Sequence, residues 1–232
     1  MDPMADAGYF TKDGLRFLAD LRTHNKKPWF EANKERFETG LRGPGLRLVG
    51  DLEPVLKKIS KHFVADAKPN GGSMSRIYRD TRFAKDKSPY KTALFFHFGH
   101  ARGTEEAMPA FYFHVEPGES TVGGGIWHPA TPMLEKIRRA IVKSPSNWDK
   151  AKGKSGVGAA CSMGGEMLKK VPRGYDPEDP HAEDLKRKDF GLHQGAGDAV
   201  VTSPDLPAEL GRRFAAAAPV LAFLCEAVGL PF

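Results

Sequence analysis

The sequence has only two cysteines, Cys161 and Cys225, among its 232 residues, and they form no CxxC pair. Two thiols are too few for a disulfide framework or for a structural cysteine-zinc site. A chain of this length can also form a stable core without such cross-links. These absences favour a reducing, cytoplasmic environment.

A long hydrophobic run is also absent. The longest apolar stretch, Phe214 to Cys225, has twelve residues and contains Pro219, whereas a membrane-spanning helix needs about 20. The opening residues MDPMADAGYF contain no basic segment followed by an apolar core, so no secretory signal is predicted. We therefore expect a soluble protein with no membrane partner.

Apolar residues at helical spacing predict helices in the first seventy residues. Thr11 is a candidate N-cap of the first helix, and Pro28 fits the first position of the second. The run from Gly43 to Gly45 predicts a break, and Pro54 predicts a kink or a new helix start. An N-terminal helical layer is the expected result.

Short aromatic and β-branched runs predict strands in the middle of the chain, at Thr92–Phe98, Phe111–Glu116, Ser120–Trp127 and Lys186–Leu192. The residues EPGES supply a hairpin turn between the second and third of these. A helix starting at Thr131 and a helical region over Leu206–Val228, split or bent at Pro219, follow. This order predicts a single α+β domain over residues 9–228, with a mainly antiparallel central sheet between N-terminal and C-terminal helices.

Much of the net charge of +6 lies in one stretch, RIYRDTRFAKDKSPYK, which we call the basic segment (residues 76–91). Its only carboxylates are Asp80 and Asp86. Its cations are Arg76, Arg79, Arg82, Lys85, Lys87 and Lys91. Aromatic and aliphatic residues alternate with these charges, which predicts a folded segment anchored to a core rather than a polar tail.

An anion site is the function that this composition favours. Guanidinium groups match phosphate and carboxylate oxygens, and each charge-assisted hydrogen bond contributes about 1.5–3 kcal/mol. Arginines three residues apart would converge only if the segment were curved. The hypothesis is a site for a phosphorylated or other anionic small molecule, in a binding protein or an enzyme. In it Arg76, Arg79 and Arg82 hold the anion, Lys85, Lys87 and Lys91 strengthen the field, and Tyr78 or Tyr90 contacts the rest of the ligand.

Other interpretations of the basic segment stay open. In a non-catalytic interaction module, the cations would pair with Asp80, Asp86 and other acids in a structural network, or would dock an acidic protein partner. Nucleic-acid binding is disfavoured because one compact cluster is smaller than the long basic surface that such proteins present. The residues indicate no cofactor and no oligomeric state.

Four stretches carry a resemblance to a known family. They are NKKPWFEANKERFE, the basic segment, FYFHVEPGESTVGGGIWHP and KKVPRGYDPEDPHAEDLKRKDF. In this order they resemble a widespread bacterial family of conserved hypothetical proteins, a domain of unknown function with the motif RIYRDxRFxxDKxPYK. The resemblance covers roughly residues 9–228. It implies a single-domain unit whose distinctive motifs are the basic segment and the glycine hairpin, and it implies no catalytic residues.

Histidines in the predicted strands raise a weaker hypothesis, a metal-dependent hydrolase. His114 and Glu116 alternate onto one face of a strand, and His97 lies in the strand before it, so strand pairing could assemble nitrogen and oxygen ligands. An HxE pattern is more often a half-buried polar pair. Acid–base chemistry by His114, Glu116, Asp80 or Asp86 would require that one of them lies beside the bound anion.

Two glycine motifs do not fit nucleotide binding. Gly153–Ser155 reads GKS, but Trp148 stands where a P-loop has its first glycine. Gly123–Gly125 does not fit GxGxxG. The triplet instead predicts a close approach of the hairpin backbone to another segment or to a ligand.

Overall fold

The computed structural model describes residues 8–103 and 108–232 and confirms the α+β class, with helices before and after a five-stranded antiparallel sheet. The helices are α1 (Lys12–Thr23), α2 (Lys27–Ala32), α3 (Lys34–Phe37), α4 (Gly43–Ile59), α5 (Thr131–Lys143), α6 (Pro145–Lys154), α7 (Ala182–Leu185), α8 (Asp198–Val201) and α9 (Leu206–Val228). The strands are β1 (Leu94–Gly99), β2 (Ala110–Val115), β3 (Thr121–Ile126), β4 (Ser162–Gly164) and β5 (Phe190–Gly195). Within the described ranges, no helix is both long and apolar enough to cross a membrane.

The N-terminal helices follow the predicted pattern except at the glycine–proline run. Thr11 caps α1, because its side-chain oxygen accepts from the Gly14 N–H at 3.2 Å. The break predicted at Gly43–Gly45 is wrong: these residues form the first turn of α4, after a π-helical turn at Glu38–Arg42. Proline is tolerated in a first turn, where its missing N–H has no intrahelical acceptor. A Cβ on Gly45 would lie 2.9 Å from Sδ of Met74, so glycine permits close packing here.

Two internal prolines do not end their helices. Pro54 lies within α4 and Pro219 within α9, so the predicted new start and the predicted split are wrong. An internal proline costs about 3 kcal/mol. Fully or almost fully buried residues flank each proline, among them Leu56 in α4 and Leu221 in α9, and their packing offsets that cost.

The sheet has the strand order β1-β2-β3-β5-β4, and every pairing is antiparallel. One face is the core face: the rings of Phe98 and Phe111 lie 5.7 and 5.1 Å from that of Phe214 in α9. The turn predicted at EPGES joins β2 to β3. The strand predicted over Lys186–Leu192 begins only at Phe190, since Lys186 lies in the turn after α7 and Arg187 forms an isolated bridge with Met167.

The opposite side of the sheet, which we call the open face, retains contact with solvent. Five ring-bearing residues share this face by strand register: Phe95, His97, Tyr112, His114 and His193. His97 is exposed and the other four are half-buried.

The glycine triplet in β3 allows the close approach that the sequence predicted. A Cβ on Gly123 would collide with the carbonyl oxygen of Leu192 in β5. A Cβ on Gly124 would lie 2.7 Å from the Leu221 side chain of α9. The triplet therefore lets β3 pair closely with β5 and lets α9 pack closely on the sheet.

Candidate functional site

The basic segment folds back on itself as a hairpin-like loop. The Arg79 N–H donates to the Pro89 carbonyl at 2.9 Å, and Tyr78 pairs with Tyr90 across the loop. Tyr90 is buried and stacks on Phe30 of α2, with 4.2 Å between ring centroids. The aromatic residues of the segment thus anchor its base to the N-terminal helices.

Arg79 is paired within the loop. Its guanidinium donates to Asp86 at 2.5 Å and to the Ser88 carbonyl at 3.2 Å. Asp86 also accepts from the Ser88 N–H and hydroxyl at 2.9 and 2.6 Å. The hydrogen bonds from Ser88 and then from Arg79 hold the pKa of Asp86 well below its usual range. Arg79 therefore closes the loop onto its own carboxylate.

Arg82 is paired in the same way at the tip of the loop. Its Nε and Nη2 donate to the Asp80 carboxylate at 3.0 and 2.7 Å. Lys87 donates to the Thr81 carbonyl at 2.9 Å. Next to this pair stands Phe83, which is 95% exposed. Most charges of the tip are satisfied by the segment itself.

Arg76 differs from the other two arginines. Among the residues that the structure describes, it has no carboxylate within ion-pair distance. It lines a hollow of about 350 Å³ together with Lys34 of α3 and Arg42 of the π-helical turn. Arg42 pairs with Glu38 at 3.0 Å. This Arg76 hollow thus has three cations and one carboxylate in its lining.

The rest of the Arg76 hollow is partly aromatic. Buried Phe30 and Phe37 contribute to its lining. Tyr78 is 48% exposed at its edge, and Asn70 is exposed. Cations, a tyrosine hydroxyl and aromatic surface are groups that can bind a phosphorylated organic molecule.

Lys91 lies on a second hollow, together with Arg22, Arg79, Phe95 and Glu116. Its ammonium donates to the Ser75 hydroxyl at 3.1 Å and stands 5.5 Å from the Phe95 ring centre. Burial, and then the Arg76 charge, lower the pKa of Lys91. The three arginines do not converge, since Arg76 and Arg79 line different hollows and Arg82 lies at the tip.

The three residues of the metal hypothesis are only partly brought together. His97 and His114 share the open face, but Glu116 accepts from Arg22 at 2.5 Å. Burial, and then the nearby His193 and His97, lower the pKa of His114 to about 4. Within residues 8–103 and 108–232, no group of three His, Cys, Asp or Glu side chains is arranged to hold a metal ion.

Tyr112 and His193 form a hydrogen-bonded pair on the open face. The Tyr112 hydroxyl contacts the Leu192 carbonyl oxygen and lies 2.7 Å from Nδ1 of His193. Because a carbonyl can only accept, the single hydroxyl proton is assigned to Leu192, and Nδ1–H of His193 then donates to Tyr112. This network leaves Nε2 of His193 with a free lone pair, able to accept a hydrogen bond.

A family model described as a conserved hypothetical protein (DUF2461) matches residues 13–223. The chain belongs to this family. No curated protein and no solved structure matches it. The resemblance seen in the sequence is confirmed, and since the DUF2461 description names no activity, function has to be inferred from the surfaces described above.

Sequence reasoning did not find four residues of this DUF2461 protein that its geometry makes prominent. Lys34 and Arg42 stand eight residues apart with Glu38 between them, a spacing that places all three on one helix face. The spacing does not predict that Arg76 of the basic segment lies opposite that face. Tyr112 and His193 meet only because β2 and β5 both flank β3. Their alternation with apolar neighbours was the only local signal.

Proposed function

We propose that this DUF2461 protein binds a phosphorylated or otherwise anionic small molecule in the Arg76 hollow. The observation that carries the proposal is the difference among the arginines of the basic segment. Arg79 and Arg82 are neutralised by Asp86 and Asp80, whereas Arg76 faces a cationic hollow without a carboxylate partner in the described chain. The proposal narrows the anion site to Arg76, Lys34 and Arg42.

Size and lining support this choice. A volume of about 350 Å³ is at the small end of the range of about 300–1,000 Å³ for ligand pockets. Arg76 would hold the anion through a bidentate fork, and Lys34 would add a second positive charge. Tyr78 would contact the remainder of the ligand with its ring or hydroxyl. We assign Arg79 and Arg82 no direct contact with the anion, because each is paired with a carboxylate of the same loop.

Isothermal titration with inorganic phosphate and pyrophosphate tests the site. Arg76→Gln should weaken pyrophosphate binding by about tenfold or more, because it removes at least one charge-assisted hydrogen bond. Arg82→Gln is the matched control, since it removes one cation from the same segment but one that Asp80 already neutralises. Equal losses in the two variants would indicate a general charge effect and would contradict the proposal.

A second candidate function is the docking of an acidic protein partner by the tip of the loop. It is favoured by Phe83, whose ring is almost wholly exposed beside Arg82, Lys85 and Lys87. Exposed aromatic residues next to cations are typical of interface anchors. Binding of an acidic peptide that is lost in Phe83→Ala but kept in Arg76→Gln would select this function over the small-molecule site.

The cysteines bear on the compartment in which a ligand would be bound. Cys161 and Cys225 are buried free thiols, and burial raises the pKa of the Cys225 thiol to about 12. Thiols of this kind are unreactive. The fact that the two cysteines form no disulfide supports the proposal of a reducing, cytoplasmic location.

A further inference from the structure

A strip without bulky side chains crosses the open face of the sheet. The strand register aligns one residue from each strand: Gly99, Ala110, Gly125, Gly191 and Gly164. Residues in register across antiparallel strands share a face. Four glycines and one alanine in register therefore give a floor that consists of backbone and a single methyl group.

Rings border this floor. His97 and Tyr112 come from the neighbouring row on β1 and β2. Trp127 follows β3, is 48% exposed and lies over Gly191, where a Cβ would be 3.3 Å from its ring. A Cβ on Gly164 would lie 2.6 Å from Nε2 of His193, so that imidazole covers the β4 end of the strip. Toward β1 the strip forms the floor of a cavity of about 220 Å³. The lining includes His97, Gly99, Met108, Tyr112, Gly125 and Trp127.

The lining of this cavity carries no formal charge at neutral pH among the residues that the structure describes. It has no Lys, Arg, Asp or Glu side chain there. Partial desolvation by the surrounding protein lowers the pKa of His97, and burial raises the pKa of Tyr112, so both are neutral at neutral pH. His100 donates from Nε2 to the Pro231 carbonyl at 2.9 Å and accepts at Nδ1 from the Arg102 N–H at 3.1 Å, as a neutral imidazole does.

We infer that this cavity binds an uncharged planar aromatic or heteroaromatic ring, which lies on the glycine strip and packs against Trp127. A flat floor suits a flat ligand, and aromatic rings gain affinity from stacked or edge-to-face contact. The imidazole of His97 can hydrogen-bond a ring nitrogen or a hydroxyl group. An apolar cavity with a few polar groups is a common form of small-molecule site. This site is separate from the Arg76 hollow, and neither depends on the other.

Isothermal titration with indole tests the inference, with indole-3-acetate and tryptamine as charged analogues. The protein should bind indole at millimolar concentrations or below, and both analogues should bind at least about tenfold more weakly because their charges would be desolvated. Absence of indole binding would overturn the inference. If a charged analogue binds as tightly as indole or more tightly, the ligand of this cavity is not restricted to uncharged rings. Indole-3-acetate could also bind in the Arg76 hollow, so its titration is repeated with Arg76→Gln, and binding that this variant removes is assigned to that hollow.

Two variants locate the bound ring. Trp127→Ala should weaken indole binding by about five- to tenfold, since the exposed indole contributes contact but little to folding. Phe83→Ala removes an exposed aromatic side chain elsewhere and is the matched control. Ala110→Ile fills the strip and should abolish binding while circular dichroism stays unchanged. If this variant does not fold, Trp127→Ala decides alone: affinity equal to that of the unmodified protein would overturn the site.

Discussion

The Arg76 hollow and the cavity on the open face differ in how the chain builds them. The hollow is made of long charged side chains from a loop and from two helical turns, so its character is electrostatic. The cavity is made by leaving side chains out, and its character comes from backbone and neutral rings. One protein thus offers a cationic and an apolar surface, each supported by a different part of the fold. Substitutions should therefore separate them.

The largest effect is expected from Tyr90→Ala. Tyr90 is buried against Phe30, and its main chain exchanges two hydrogen bonds with the Asn25 side chain. Removal of a buried aromatic side chain costs about 3–5 kcal/mol. The basic segment should lose its anchor, so urea denaturation should show this destabilisation and pyrophosphate binding should fall while indole binding persists at low urea. Phe83→Ala, which removes an exposed ring of the same segment, should change stability by less than about 0.5 kcal/mol.

A slightly smaller effect, on the other surface, is expected from Asp189→Ala. Asp189 is fully buried and accepts from the His128 N–H at 2.7 Å and the Glu166 N–H at 2.9 Å. His128 has a φ of +51°, the only positive value at a non-glycine residue in the described chain, so its conformation depends on such support. Loss of both acceptors should cost about 2–4 kcal/mol and should weaken indole more than pyrophosphate binding. Equal weakening of both would show that the two surfaces are not independent.

Acid should lower the free energy of unfolding through the histidines of the open face. The pKa of His114 is about 4 in the folded protein against 6.5 when it is exposed, so the unfolded chain takes up a proton first as the pH falls. Stability should therefore drop between about pH 6.5 and 4, by at most about 3 kcal/mol from this group. His97, His193, Tyr112 and Phe95 surround it, and the lowered pKa values of the two histidines add to the trend.

Urea titrations at pH 7, 5.5 and 4.5 measure this acid effect. In His114→Gln the slope of stability against pH should be shallower over the same interval. A slope as steep as in the unmodified protein would assign the effect to other groups. His24, an exposed histidine at the end of α1, lies outside the cluster and provides a control as His24→Gln.

The smallest effect is expected from Arg79→Gln. Its partner Asp86 is exposed, and ion pairs at the surface contribute little. Pyrophosphate affinity should stay within about twofold of that of the unmodified protein. A loss as large as that in Arg76→Gln would move the anion site toward Arg79 and would weaken the contrast between free and paired arginines.

The sequence predicted correctly those features of the fold that depend on interactions between residues close together in the chain. The Thr11 cap, the turn at EPGES and the aromatic strand Phe111–Glu116 depend on residues a few positions apart, and all three are in the structure. The predicted split at Pro219 is wrong because the penalty of a proline is local whereas the packing that offsets it is tertiary. Sequence patterns show a local penalty more directly than they show tertiary packing.

The candidate sites were harder to predict for the same reason. The sequence shows the cations of the basic segment but not their ion pairs. The bend of the loop brings Asp86 to Arg79 and Asp80 to Arg82. The glycine strip draws one residue from each of five strands. Only the order and register of the strands align them.

The centre of β3 has no face on which residues can vary freely. Most strands alternate between a constrained inner position and a tolerant outer one. At Gly124 a side chain would press on Leu221, while at Gly123 and Gly125 it would press on the backbone of β5. A comprehensive substitution scan should therefore find three consecutive intolerant positions, and a molecule resting on Gly125 would be separated from the C-terminal helix by little more than one layer of backbone.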